Sequence, residues 1–323
     1  MGKRQANTLR IVLLAALFAA GAAFAQYPSR AVRIVVTIPP GGAPDIAARV
    51  VGQKLSESLG QPFVIENRPG ANGNTAAAEV ARAAPDGHTL ILAADSLIAI
   101  NPHLYGRMPI DTLKDLVPVA SLVANQFVLS VNPSLPVKTL PEFVEYAKKA
   151  KPPLAYASGG NGSQHQLTME LLKARAGIEL VHVPYRGGAP ATTATMAGEV
   201  AAMFAGTSTA PQIKAGRLRA LATSGAKRSS AFPELPTVAE FYPGFENSIW
   251  LGLFGPAGLP EEVLLKLRNE INKALQTADV RTRLHDSGGL EPFATTPEEF
   301  AALIRRDYDR YGKLIKDVGI KAD

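Results

Sequence analysis

The side chains and turns of this sequence offer hydrogen bonding without a competent nucleophile. Gly-Gly-Ala-Pro occurs twice, at 41–44 and 187–190, each time after a β-branched strand and before a helical pattern. A glycine pair lets backbone approach a ligand closely, and the helix behind it offers unpaired N–H groups at its positive end. Two such turns facing each other across a cleft suit a ligand that carries carboxylates. Between them lies the most polar glycine-rich loop, Ser158-Gly159-Gly160-Asn161-Gly162-Ser163-Gln164-His165. It reads equally as a ligand-binding turn and as a helix start capped by Ser163, and the two roles can coexist.

Nucleophilic catalysis finds little support. Ser163 and His165 stand two apart, a spacing at which helical side chains do not face each other. No Gly-x-Ser-x-Gly elbow is present, and zero cysteine removes thiol nucleophiles, disulfides, thiolate zinc sites and iron–sulfur clusters. His88, His103, His182 and His285 occur singly, without metal-ligand spacing, and read as hydrogen-bonded structural residues. The loop Asn67–Asn74 lacks both the Walker ending and a full Gly-x-Gly-x-x-Gly, so a structural turn is the better reading. Asp45 reads either as a group that orients a ligand or water, or as compensation for a helix dipole. Trp250, the only tryptophan, is expected to pack at a crossing between lobes.

The first 25 residues read as a signal peptide. Lys3, Arg4 and Arg10 precede an apolar run of 14 residues, Ile11–Phe24, and Ala23-Phe24-Ala25 supplies small residues where a signal peptidase cuts. The run is shorter than the ~18–20 residues a spanning helix needs. Cleavage after Ala25 leaves a 298-residue periplasmic protein starting at Gln26, and the net charge falls from +6 to +3. The remaining basic residues form no stripe with interleaved aromatics, so nucleic acid is not an expected partner.

Strand and helix patterns alternate from there on. Val32–Val36 reads as a strand, and a helix with Pro44 as its first residue runs to a stop at Gly60. A strand at Phe63–Ile65, a helix at Thr75–Ala84 and a strand at His88–Ala93 follow. The rhythm repeats from 140 to about 225, with helices at 140–150, 163–175 and 190–197 and strands at 154–157, 180–183 and 200–204. Two long apolar segments, Val117–Val131 and Ile249–Phe254, read as crossings. The Pro and acid pairs at 260–262 and 297–299 start two C-terminal helices that pack back on the first lobe. The expectation is an α/β protein of two lobes: 26–123 plus 249–323, and 124–248.

These residues resemble the extracytoplasmic solute receptors of the tripartite tricarboxylate transporter family, the Bug-type receptors. The resemblance is carried by Pro40-Gly41-Gly42-x-x-Asp45-x-x-Ala48-Arg49, Glu66-Asn67-Arg68-Pro69-Gly70-Ala71, Ala84-Pro85-Asp86-Gly87 and Asn101-Pro102-His103-Leu104-Tyr105. It continues through His182-Val183-Pro184-Tyr185-Arg186-Gly187, Ile213–Leu221 and Pro233–Glu240. It implies a type II periplasmic binding-protein fold that closes on a small carboxylate. It further implies delivery of that ligand to a two-subunit membrane permease by a monomeric receptor with no catalytic residue, cofactor or metal. Carried over by position, the ligand loops are 38–42, 94–96, 158–163, 185–189 and 204–207. Within and beside them the expected contacts are Ile38, Pro40, Gly41, Gly42, Asp45, Asp95, Ser96, Ser158, Gly159, Asn161, Ser163, Tyr185, Gly187, Gly188, Ala189 and Thr207.

The chain departs from the family pattern at three places. Thr37-Ile38-Pro39 replaces a Pro-aromatic-Ala, Asn72–Ala76 replaces a glycine-rich turn, and Met203-Phe204-Ala205-Gly206 stands where many relatives have Met-Phe-Asp-Asn. Loss of an acid there favours an anion over an amine, so a di- or tricarboxylate is expected rather than a zwitterionic amino acid. A sensor feeding a membrane kinase would use the same closure. A periplasmic hydrolase is the least supported reading.

Overall fold

The computed structural model describes residues 27–287 and 289–320. The expected signal peptide and its cleavage site lie outside the described residues. Three parallel strands open the fold: β1 (Val32–Val36) lies between β2 (Phe63–Asn67) and β3 (Thr89–Ala94). Both faces of this sheet are covered, as parallel sheets require. Val32, Ile34 and Val36 join one core, which includes helix α1 (Ala43–Leu59), and Val35 faces a second, which includes helix α2 (Asn74–Ala81). Helix α1 begins one residue before Pro44 and ends at Gly60, whose left-handed φ of 70° lets its N–H reach the Ser56 carbonyl.

A π-helical turn, Ser96–Ile100, and the short helix α3 (Asn101–Leu104) lead into the 16-residue strand β4 (Leu116–Val131). This strand serves both lobes. Through Gln126 it pairs antiparallel with β9 (Ser248–Pro256); from Phe127 onwards it pairs with β7 (Ala202–Gly206) and β8 (Arg219–Thr223). Beyond β7 lie β5 (Leu154–Ser158) and the edge strand β6 (Leu180–Pro184), all parallel. Helices α4 (Leu140–Lys149), α5 (Gln164–Ala176), α6 (Gly188–Ala197) and α7 (Ala210–Lys214) belong to this half. The chain returns through Asn247, whose N–H donates to the Ser224 carbonyl at 2.8 Å, and enters β9. The architecture is α/β with two lobes that share the long strand β4.

Helices α8 (Glu261–Gln276) and α9 (Ala278–Asp286), the two-residue strand β10 (Glu291–Pro292) and helix α10 (Pro297–Val318) complete the described chain. Helix α8 packs its apolar face against α1 and β4, as its first-turn acids and spaced leucines foretell. Helix α10 starts with a capping box between Thr296 and Glu299. It buries Phe300 and Ile304 beside Trp250, then reaches the junction of the lobes with Tyr311 and Ile315. Among the described residues no helix is long and apolar enough to cross a membrane.

Candidate ligand-binding site

Because β1, β2 and β3 run parallel, the segments after Val36, Asn67 and Ala94 leave the same sheet edge. The segments after Ser158, Pro184 and Gly206 do the same in the other lobe. Ligands of open α/β sheets bind outside these carboxyl ends. Every loop expected from the sequence starts here.

In the first lobe the Asp45 carboxylate is buried under the loop before α1. It accepts the Gly41 N–H at 2.9 Å, Asn67 Nδ2 at 2.9 Å and Arg49 Nε at 3.0 Å. Asn67 also donates to the Ile38 carbonyl at 2.9 Å, so the loop is tied down at both ends. Burial pushes the Asp45 pKa up, but the bonds from Arg49, Gly41 and Asn67 outweigh it and hold the acid below its ordinary value. Both oxygens are engaged within the lobe, so Asp45 shapes the loop that carries Gly41. Pro40 and Gly41 are exposed at the tip, and Gly41 holds a φ of +90° with open space where a side chain would project. Gly42 is packed under Ile38 Cδ1, and Ile38 itself leans on the lobe core.

The second lobe brings 158–160 and 185–189 together through backbone bonds. Tyr185 N–H donates to the Ser158 carbonyl at 3.0 Å and Gly187 N–H to the Gly159 carbonyl at 3.2 Å. A Cβ on Gly159 or Gly188 would stand 3.0 and 3.3 Å from the ring nitrogens of His165, so both glycines are needed for close approach. Gly187 has a φ of +112° and open space beside it, as Gly41 has. Beside these glycines lies a cavity of about 380 Å³ whose lining includes His165, Gly188, Ala189, Thr192, Gly206 and Ser208. No Lys, Arg, Asp or Glu lines it. Burial lowers the His165 pKa to about 4, so this imidazole is neutral at pH 7.

Several expected contacts have partners within the fold. Asp95 is 0% exposed; it accepts the Ser96 N–H and a bond from Gln164 Nε2, and the Tyr311 hydroxyl lies 3.4 Å away. Burial, with Asp307 nearby, raises its pKa well above the ordinary carboxylate value. Ser158 is also fully buried, its hydroxyl taken by the Gly160 carbonyl and His182. Thr207 is buried and donates to Asn125 Oδ1 at 2.8 Å. Ser163 accepts the Gln166 N–H as a helix cap, and Tyr185 donates its hydroxyl to Glu199 at 3.3 Å. Ser96 is half-buried, and Asn161 and Ala189 are exposed.

The lobes touch through residues that the sequence reading passed over. Gln164, the first residue of α5, bonds to Asp95 and lies 3.0 Å from the Tyr311 hydroxyl, and its Oε1 accepts Asn247 Nδ2 at 3.2 Å. Leu104 covers Gly162, and Leu167 packs with Ala99, Ile100, Tyr311 and Ile315. Loop 94–96 therefore meets the start of α5, and α3 meets loop 158–163, whereas among the described residues no hydrogen bond joins 41–44 to 187–190. A polar Gln beside the glycine-rich loop was the available signal; a Tyr and an Asn far along the chain gave none. Among the described residues no group of His, Asp and Glu could hold a metal ion.

The sequence profile described as "Tripartite tricarboxylate transporter family receptor" matches residues 47–320. The chain belongs to this family. Protein BugT of Bordetella pertussis is 34% identical over 324 residues, covering 98% of this chain and 99% of BugT. Two solved structures from Rhodopseudomonas palustris are similar to it. Rpa4515 with adipate has 34% identity and a TM-score of 0.81, covering 92% of this chain and 99% of Rpa4515. MatC with bound malate has 33% identity and a TM-score of 0.75, covering 90% of this chain and all of MatC. Members of the family are periplasmic solute-binding receptors, and this receptor is not an enzyme.

Proposed function

We propose that this exported receptor captures a small organic acid, a di- or tricarboxylate, between lobes 26–123 plus 249–323 and 124–248. It then presents the acid to a two-subunit membrane permease. The observation that carries the reading is the pair of glycine turns at the carboxyl ends of the strands, each opening a helix. Gly41 and Gly187 both hold positive φ with an open side, and the second-lobe cavity contains no acid to repel an anion. Backbone N–H groups at helix starts and neutral hydroxyls can hold a carboxylate without a salt bridge. The adipate and malate bound by the similar R. palustris proteins support the same ligand class.

The test is a thermal-shift screen of purified receptor against malate, adipate, citrate and amino acids, followed by calorimetric titration. A native-state ligand raises the melting temperature by mass action, by about 2.7 kcal/mol of stability at a hundred times Kd. Stabilisation by at least one of the acids is expected. A response to amino acids alone would refute the reading.

A further inference from the structure

The glycine-rich loop 158–163 is held by a chain of hydrogen bonds with a single consistent direction. Gly162 N–H lies 2.7 Å from Gln166 Oε1, and Gln166 Nε2 lies 3.1 Å from His182 Nδ1. His182 Nε2 is 2.6 Å from Ser158 Oγ, which is 3.0 Å from the Gly160 carbonyl and accepts the Gly160 N–H at 3.1 Å. A backbone N–H only donates, so the Gln166 oxygen must face Gly162 and its NH2 must face the imidazole. Nδ1 is then an acceptor, and the ring proton sits on Nε2 and is donated to Ser158 Oγ. The Ser158 hydrogen goes on to the Gly160 carbonyl. One neutral tautomer satisfies every member, and both ends of the chain are backbone groups of the loop.

We propose that His182 and Gln166 are positioning residues for ligand capture: this relay fixes the shape of loop 158–163, and protonation of His182 releases it. The proposal rests on the carboxylate-binding reading for its functional meaning, but the relay itself is readable without solute. A second ring proton lands on Nδ1 and confronts the Gln166 NH2. The amide must then turn over, which sets its NH2 against the Gly162 N–H and breaks that bond. The ring stacks on Tyr156 at 5.0 Å between centroids; the Tyr156 hydroxyl donates to Glu170, which also pairs with Lys173. Burial keeps the His182 pKa below its ordinary value; Glu170 pulls it up and Lys173 pushes it down. The loop is therefore held above the His182 pKa and released as pH falls through it.

The experiment uses 15N-labelled receptor. Nitrogen shifts of His182 at pH 8 should show the proton on Nε2, and exchange of the Gly162 amide, corrected for its intrinsic rate, should be slow. In Gln166→Leu the protection of Gly162 should fall at least tenfold, and in the wild type it should fall as His182 titrates. Gln166→Glu supplies a carboxylate that accepts from both Gly162 and Nδ1. It should restore protection, raise the His182 pKa and carry a proton on Nδ1, an outcome that a merely space-filling role would not give. Malate, adipate and citrate titrated calorimetrically should bind the Leu variant about tenfold more weakly than the wild type. A neutral wild-type ring protonated on Nδ1, or unchanged Gly162 protection in Gln166→Leu, overturns the relay. Failure of all three acids on the wild type counts against the carboxylate reading instead.

Discussion

Replacing Gln164 with Met tests whether the junction of the lobes is held by a dry polar network. The substitution keeps length and rough volume while removing every hydrogen bond of the amide. Three partners lose a bond: Asp95, the Tyr311 hydroxyl and Asn247 Nδ2. All three are almost sealed from water, at 0%, 1% and 1% exposure. Each lost bond in such a setting costs about 1 kcal/mol net, and a buried group left unpaired costs ~1–3 kcal/mol. Asn247 retains Thr168 at 2.5 Å and Tyr311 retains Asn247 at 2.8 Å, so these two keep partial satisfaction. The expected loss is about 3 kcal/mol, equivalent to a fall of roughly 6 °C in Tm for a chain of this size. Urea unfolding of variant and wild type at pH 7 measures it. Gln53→Met is the control, because the bonds of Gln53 to Glu57 and Arg283 are both solvent-exposed and their loss should change stability by less than about 0.5 kcal/mol. A loss below about 1 kcal/mol for Gln164→Met would mean that water replaces the amide, and the dry-junction argument would be wrong.

Asp95 and the two glycine turns give further expectations. A carboxyl whose folded pKa is raised contributes stability that is fully present below its unfolded pKa and lost as pH rises above it. Asp95→Asn should therefore gain on the wild type between pH 5 and pH 8, by at most about 1.4 kcal/mol per pH unit; a difference independent of pH would show that Asp95 is ionised in the fold. Gly41→Ala and Gly187→Ala meet no neighbouring atom, so only backbone strain of about 1–3 kcal/mol is expected, with the fold intact and carboxylate binding at least tenfold weaker. Gly216→Ala, at a φ of +70° in the turn after α7 and also in open space, strains the backbone away from the site and should leave binding unchanged in the same calorimetric titration. Equal effects at Gly216 and Gly187 would remove the site from the glycine turns.

The strands and helices that frame the site were legible because they follow local rules. The β-branched run Val32–Val36, the Pro44 and Gly60 brackets of α1 and the Thr296–Glu299 cap each specify their element from a few adjacent residues. Boundaries moved where side-chain pattern and backbone pairing differ: the strand read as 200–204 is paired at 202–206, and the helix read from 190 starts at Gly188, ahead of its Pro. The glycines of the site were legible for the same local reason. Partners of the polar residues were not. Asp45 looks alike in sequence whether it meets a ligand or the Gly41 N–H, and nothing beside Asp95 announces Gln164 or Tyr311, 69 and 216 positions away. The same distance hides His182 from Ser158, although both stand in motifs that drew notice. Long-range pairing decides which polar group is free, and periodicity carries no record of it.

The sole tryptophan turns the junction into an optical gauge. Trp250 is 2% exposed, and its indole N–H donates to Asp307 Oδ2 at 2.9 Å. Asp307 pairs with Arg310 at 3.3 Å, and Arg310 reaches the Glu246 carbonyl and Asn247 Oδ1 at the point where the chain passes between lobes. A single emitter sits one carboxylate and one guanidinium away from the return crossing. Rearrangement of that crossing alters the field at the indole, so intrinsic emission can follow solute uptake in unlabelled receptor, with no second tryptophan in the chain to blur the signal.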